Sequence, residues 1–453
     1  MVYAAAAFLK PPWHDELFSR LLSAQPLPDI LGLLRNDSGP PLYYFILHLW
    51  GKLMGGGVPA LRLFSALSIL VAGVFFVRIM RRISAALPVP ALLALFYLFP
   101  LNLYYAVEAR AYAPLMLLTW IFLDLLFSSR RIWALTLVFA LMLYTHNLAL
   151  LYIPLLLLLP FVFREVKLFL VPLLSGLAYL PFLPILLAQP KESILWMQEP
   201  FSAGRIMTFL SGMGPLGPAF PMFPIGGPFG SAKGVLLPLV AVCVALIVGA
   251  GCFHREKAVR VCALGFVLTG GVLLGISACG VNLYFPSRGE ALVFPFFFVI
   301  VLSVLGLLKP FIVRPFAACI LLLLMVQTAL WLPYLPAQQP LGEIPQRMKP
   351  FLKDGDRLYI IGPWRLTLAH YLGNAGVRPT AITLPFDQAY HPGWYRCSGL
   401  LETDLEWLKG KSKDRPVFLF SDMTNPCDAQ LRAAMPDLQI LGSSGPFYFA
   451  RVR

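Results

Sequence analysis

Five short clusters of Arg and Lys recur at nearly regular intervals along the chain, and apolar stretches fill the gaps between them. The clusters are VRIMRR (Arg78, Arg81, Arg82), SSRR (Arg130, Arg131), REVK (Arg164, Lys167), HREKAVR (Arg255, Lys257, Arg260) and KPFIVR (Lys309, Arg314). Apolar runs of about 20 residues are what a helix needs to cross the hydrocarbon core of a bilayer. The composition agrees. Only 13% of residues are charged and the mean hydropathy is +0.75, where a soluble chain carries roughly a quarter charged residues. The net charge of +14 then belongs to cytoplasmic loops and not to a nucleic-acid surface, because Lys and Arg collect on the cytoplasmic side of a membrane.

Each cluster is flanked by two apolar segments. The spans run over 60–79, 88–106, 112–128, 132–147, 148–163, 168–188, 234–253, 259–280, 290–308 and 315–333. With the clusters cytoplasmic, alternation puts 1–59, 107–111, 189–233, 281–289 and 334–453 outside. Asp15, Glu16, Asp37, Glu108, Arg110, Glu199 and Arg288 therefore share one face of the membrane. Asp124, near the cytoplasmic end of its span, reads as snorkelling or locally paired. The opening MVYAAAAFL resembles the end of a span, but its length covers only ~14 Å of a ~30 Å core. It lacks the basic region and cleavage site of a signal peptide. An apolar helix supplied upstream, as an eleventh span, is the expectation; a short interfacial helix is the alternative.

The first outer loop, 10–59, is too polar to span. It offers two short amphipathic helices divided by QPLP, and a third over PPLYYFILHLWGKLMGG that suits the membrane interface. The outer loop 189–233 is rich in Gly and Pro and has no core of its own. No GxxxxGK[ST] and no GxGxxG after a strand occur, so no nucleotide cofactor is expected. The chain thus divides into a membrane domain, 1–333, and an outer α/β domain, 334–453. In the latter RLYIIG and VFLFSD read as buried strands, QILGSSGPFYFARV as one or two more, and LETDLEWLKG as a helix. Five cysteines lie in or at apolar spans, where Cys behaves as a small hydrophobe. Cys397 and Cys427 stand apart in the outer domain, where a disulfide between them or two reduced thiols are both open.

The residues with chemistry are few. Asp15 and Glu16 are adjacent carboxylates that either do acid–base work or cap the following helix. Asp37 is a ligand for a metal or a sugar, or an ordinary turn residue before Ser-Gly-Pro-Pro. Arg110 and Arg288 are phosphate forks, or partners in local ion pairs. His146 is a helix-end polar group or a ligand. Asp15, Asp37 and His146 are the candidate ligands of a divalent metal, though spacing alone supplies no geometry. Trp196 stacks on a sugar or anchors the interface.

Several stretches, in order, resemble the GT-C superfamily of integral membrane glycosyltransferases. They are HDELFS, NDSGPPLYYFILHLWGKLMGG with ALRLFSAL, YYAVEARAYAPLMLL, LYTHNLALL, ILWMQEPFS and YFPSRGEALVFPFF. The nearest branch is the bacterial one similar to protein O-mannosyltransferases and lipid A aminoarabinose transferases. Two positions depart from its pattern: Gly39 stands where a His usually precedes Pro-Pro, and Gly289 where a Tyr usually follows Arg. The resemblance implies a polytopic helical fold of 10–11 transmembrane helices with a small outer α/β domain. It implies transfer, with inversion, of a sugar from a polyprenyl-phosphate donor to a glycan, lipid or protein acceptor outside a plasma (inner) membrane. Asp15 becomes the base with Glu16 beside it. Arg110 and Arg288 hold the donor phosphate, and Asp37, Glu108, Tyr112 and Trp196 contact substrate. A transporter or flippase of a lipid-linked glycan would also place charges along a membrane pathway. Such proteins tend to show internal repeats and mid-membrane breaks, and no repeat is evident here.

Overall fold

Each of the ten apolar ranges is a helix or a broken helix in the computed structural model, which describes residues 1–83, 87–189, 201–215, 233–281, 283–337, 340–361, 364–384, 417–423 and 426–452. The chain divides into two compact units. One is Met1–Leu9 with Gln25–Leu335, and the other is Lys10–Ala24 with Pro336–Arg453.

The first unit contains α1 (Val2–Leu9), and the second takes α2 (His14–Ser23). The chain then returns to the first unit with α3 (Leu27–Leu34), α4 (Leu42–Met54) and α5 (Val58–Ile83). Next come α6 (Val89–Leu98), α7 (Pro100–Ala106), α8 (Tyr112–Ser128) and α9 (Ile132–Thr145). A 3-10 turn over 147–152 leads into α10 (Ile153–Phe163), followed by α11 (Leu170–Tyr179), α12 (Leu183–Ala188) and α13 (Ala203–Ser211). The unit ends with α14 (Lys233–Cys252), α15 (Lys257–Ala278), α16 (Arg288–Leu305) and α17 (Pro310–Tyr334).

Among the described residues, five helices are long and apolar enough to cross a membrane. They are α5, the run Val166–Ala188, α15, α16 and α17; the pair α6–α7, bent by 64°, makes a sixth. The remaining four expected spans, Tyr112–Ser128, Ile132–Thr145, Asn147–Phe163 and Pro238–Cys252, are apolar but shorter. The bend has a local cause. Phe99 precedes Pro100 and is pushed to extended backbone, φ −61°, ψ 131°, because proline crowds a helical predecessor. Asn102 then donates its side-chain amide to the Phe96 carbonyl at 2.8 Å, filling a bond the break removes. Aromatic rings pack the interior nearby, with Phe76 and Phe96 stacked at 4.9 Å and Trp120 edge-on to both, a geometry aromatic quadrupoles favour.

Four of the five basic clusters make ion pairs or ring contacts with neighbouring groups. Asp124, buried, pairs with Arg78 at 3.1 Å and also with Arg82. Two turns along, Arg130 bonds Glu165 at 2.7 Å, and Lys167 pairs with the same carboxylate at 3.4 Å. Arg130 and Lys257 both lie over the Phe163 ring, at 5.0 and 5.5 Å. The local pairing expected of Asp124 is thus present.

The second unit is a five-stranded sheet flanked by helices. Its elements are α18 (Ile344–Met348), β1 (Arg357–Ile361), α19 (Arg365–Asn374), β2 (Thr380–Leu384), β3 (Val417–Asp422), the helix Pro426–Ala434, β4 (Gln439–Ser444) and β5 (Phe447–Val452). Strand order is β2-β1-β3-β5-β4, with β1 parallel to β2 and β3, and β5 antiparallel to β3 and β4. Every residue of β3 is buried, so VFLFSD needs no polar–apolar alternation. Gly445, at φ +58°, makes the turn that returns β4 to β5. RLYIIG, VFLFSD and the C-terminal tail form strands as expected. β2 was not anticipated, and the helix expected over 401–410 lies outside the described residues. Cys243, Cys252, Cys262, Cys279 and Cys319 are free thiols. Cys427 is buried and disulfide-bonded, and Cys397 lies outside the described residues.

Candidate active site

Arg110 sits on a turn between α7 and α8. The Arg110 N–H donates to the Glu108 carbonyl at 2.9 Å. The same carbonyl accepts the Ser65 hydroxyl of α5 at 2.5 Å. Glu108 and Ala109 are buried while Arg110 stays half-buried, so the turn holds the guanidinium where it keeps contact with solvent. Tyr112 follows at the start of α8, buried, with its ring 4.9 Å from both Tyr105 and His146.

Arg288 opens α16 after a strained residue. Ser287 has φ +71°, a conformation that costs about 1–3 kcal/mol outside glycine. Its surroundings hold it there. Tyr284 donates its hydroxyl to Glu290 Oε1 at 2.6 Å, and both residues are buried. The Ser277 hydroxyl accepts the N–H groups of Leu283 and Tyr284 at 3.2 and 3.3 Å. The Arg288 guanidinium lies over the Phe285 ring at 4.9 Å, a cation–π contact. Gly289 has a steric reason: a Cβ there would come within 2.7 Å of the Tyr284 ring and 2.8 Å of Leu273. Tyr284 fills the space that a larger residue after Arg288 would need.

His146 joins these two loops. Its Nδ1 accepts the Leu148 N–H at 3.1 Å, which leaves Nε2 as the protonated nitrogen. Arg110 and Arg288 both lie within electrostatic reach of this partly exposed imidazole. Tyr152, from the 3-10 turn after His146, donates to the Leu292 carbonyl of α16 at 2.6 Å and braces this segment against the Arg288 helix.

The Asp37 loop is fastened to the same place. Asn147 donates to the Ser38 carbonyl at 2.7 Å while accepting the Tyr179 hydroxyl at 2.9 Å. Gln189 donates to the Leu34 and Gly39 carbonyls at 2.9 and 3.0 Å. A Cβ on Gly39 would stand 3.5 Å from both Asp37 Oδ2 and the Tyr44 ring, so carboxylate and phenol flank that glycine. Asp37 itself is buried. The structure thus gathers Asp37, Glu108, Arg110, Tyr112, His146 and Arg288 around neighbouring loops of the first unit.

Asp15 and Glu16 occupy the first turn of α2, in the second unit. The pair divides its environment. Glu16 is fully buried and its Oε2 accepts the Trp13 N–H at 3.4 Å, the N3-to-N-cap contact of a capping box. Asp15 is half-buried, and its carbonyl accepts the Ser19 hydroxyl at 3.0 Å. The capping alternative for one of the two carboxylates is therefore realised at Glu16.

Trp196 lies outside the described residues. Among the described residues no three His, Cys, Asp or Glu side chains gather as a metal site would need. Four supporting residues escaped the sequence reading: Asn147, Gln189, Tyr284 and Glu290. Glu290 carried a usable signal, since an ionisable residue inside an apolar span is functional by default. The two amides and Tyr284 carried none.

Two solved structures share this fold over the whole chain. One is ArnT from Cupriavidus metallidurans in the apo state, with a TM-score of 0.63 at 12% identity, covering 100% of this chain and 96% of that one. The other is ArnT from the same organism bound to undecaprenyl phosphate, with a TM-score of 0.59 at 13% identity and the same coverage. No family model matches the chain, and no curated protein matches it. The likeness shows that the chain shares the fold of these two structures, a bundle of apolar helices with a small C-terminal sheet.

Proposed function

We propose that the protein is an inverting glycosyltransferase, taking a sugar from a polyprenyl-phosphate donor and passing it to an acceptor at the outer face of the plasma (inner) membrane. The observation that carries this reading is the convergence of Arg110 and Arg288 on His146. A polyprenyl-phosphate leaving group gains negative charge as its bond to the sugar breaks. Guanidinium forks answer that charge with paired N–H donors, and donors aimed at developing charge are usually the largest catalytic term. That an ArnT structure has undecaprenyl phosphate bound supports the same donor class here.

Asp15 takes the proton of the acceptor hydroxyl. The acceptor oxygen forms its bond to the anomeric carbon as the bond to the phosphate oxygen breaks, and that electron pair leaves with the polyprenyl phosphate. One displacement inverts the anomeric centre. The division within the pair favours Asp15 over Glu16, because Glu16 is buried and serves the helix end. Asp37, Glu108 and Tyr112 border the sugar, and Trp196 is retained as a stacking candidate. No step is assigned to a metal.

The test is transfer from a polyprenyl-phosphate sugar by the full chain in liposomes. Asp15→Asn is expected to lower the rate by ~10²–10⁴-fold, the usual worth of a general base. It should leave thermal stability unchanged, since Asn serves a helix N-terminus as well as Asp. Wild-type turnover in that variant removes Asp15 as the base. Movement of the lipid between leaflets with no sugar transferred replaces the enzyme with a transporter.

A further inference from the structure

The helix that carries Asp15 belongs to the C-terminal domain. Lys10–Ala24 groups with Pro336–Arg453, whereas the chain on either side of it, Met1–Leu9 and Gln25 onward, belongs to the membrane unit. The contact is specific. α2 packs against α19. Tyr371 of α19, whose ring is buried in the domain's core, donates its hydroxyl to the Pro12 carbonyl at 2.8 Å. Farther along α2, Arg20 lies within electrostatic reach of His370. One contact fixes the residues just ahead of Asp15 and the other reaches the opposite end of the helix.

We infer that the C-terminal domain positions the base of the reaction, with Tyr371 as a positioning residue that holds α2, and thereby Asp15, through the Pro12 carbonyl. The inference rests on the reading of Asp15 as base. Loosening α2 should then slow the chemical step without weakening the hold on the donor. A misplacement of about 1 Å in a reacting group is enough for a large loss of rate.

Tyr371→Phe keeps the buried ring and removes the bond to Pro12. Tyr371→Ala is the second variant and removes both. Two readouts on the full chain are needed: hydrogen exchange of the α2 amides, and kcat and KM for a polyprenyl-phosphate sugar. With Tyr371→Phe, exchange across residues 14–23 should quicken while the sheet stays protected. kcat should fall about threefold to tenfold, the range of one lost hydrogen bond, with KM for the donor unchanged and a larger fall with Tyr371→Ala. In the Asp15→Asn background neither change should lower the residual rate further, because residues acting through one another are not additive.

Faster exchange with wild-type kcat overturns the inference. So does a raised KM at wild-type kcat, and so does wild-type exchange and kcat in both variants. The two readings fail separately. Wild-type turnover in Asp15→Asn removes the base, whatever Tyr371 does. A dead Asp15→Asn beside unaffected Tyr371 variants removes only the positioning role.

Discussion

In one region of the membrane unit, Asp124 takes Arg78 and Arg82, and Glu165 takes Arg130 and Lys167. In another, Arg110 and Arg288 come from separate loops and both lie within electrostatic reach of His146. The first region joins charges from neighbouring helix ends and short loops. The second draws on distant parts of the chain, with the Ser65 hydroxyl bound to the Glu108 carbonyl and Tyr152 bound to the Leu292 carbonyl of α16.

The largest expected effect follows directly. Arg110→Ala and Arg288→Ala should each weaken undecaprenyl phosphate binding by about 10- to 100-fold, since a charge-assisted phosphate contact is worth roughly 1.5–3 kcal/mol. The double variant should be weaker still. Arg82→Ala, from the other region, should bind normally. Equal losses from Arg82 and Arg110, measured by lipid binding in detergent, would erase the distinction between the two regions.

Asp124→Asn tests the other half of the comparison. It strips a buried carboxylate from two guanidiniums. Because the Arg78 and Arg82 side chains are 53% and 36% exposed, solvent takes up part of the loss, and the cost should be about 2–3 kcal/mol, below that of a fully buried pair. Thermal stability should drop while kcat per folded molecule stays within about twofold. A large fall in kcat at unchanged stability would make Asp124 part of the chemistry.

Gly289→Ala comes next. The added carbon meets Tyr284 and Leu273, and overpacking of this kind costs about 1–3 kcal/mol. Because Tyr284 also bonds Glu290 in the first turn of α16, the same change should loosen the Arg288 turn and weaken lipid binding several-fold. Lost stability with wild-type affinity would show that the Tyr284–Glu290 bond does not set the direction of Arg288.

The ten apolar ranges were legible because a membrane span is a block of composition, and so were the candidates at their ends. Arg110, His146 and Arg288 each stood out as polar groups where an apolar run stops. Their meeting was not legible, because it depends on bonds such as Ser65 to the Glu108 carbonyl and Tyr152 to the Leu292 carbonyl, far apart along the chain, and no periodicity records such a bond. The break at Phe99–Pro100 was visible as a proline, but its 64° bend needs Asn102 to satisfy Phe96. β2 was missed because TAITL is short, and among the described residues it pairs with β1 alone. The docking of α2 on α19 left no trace at all, since Pro12 and Tyr371 meet only in the fold.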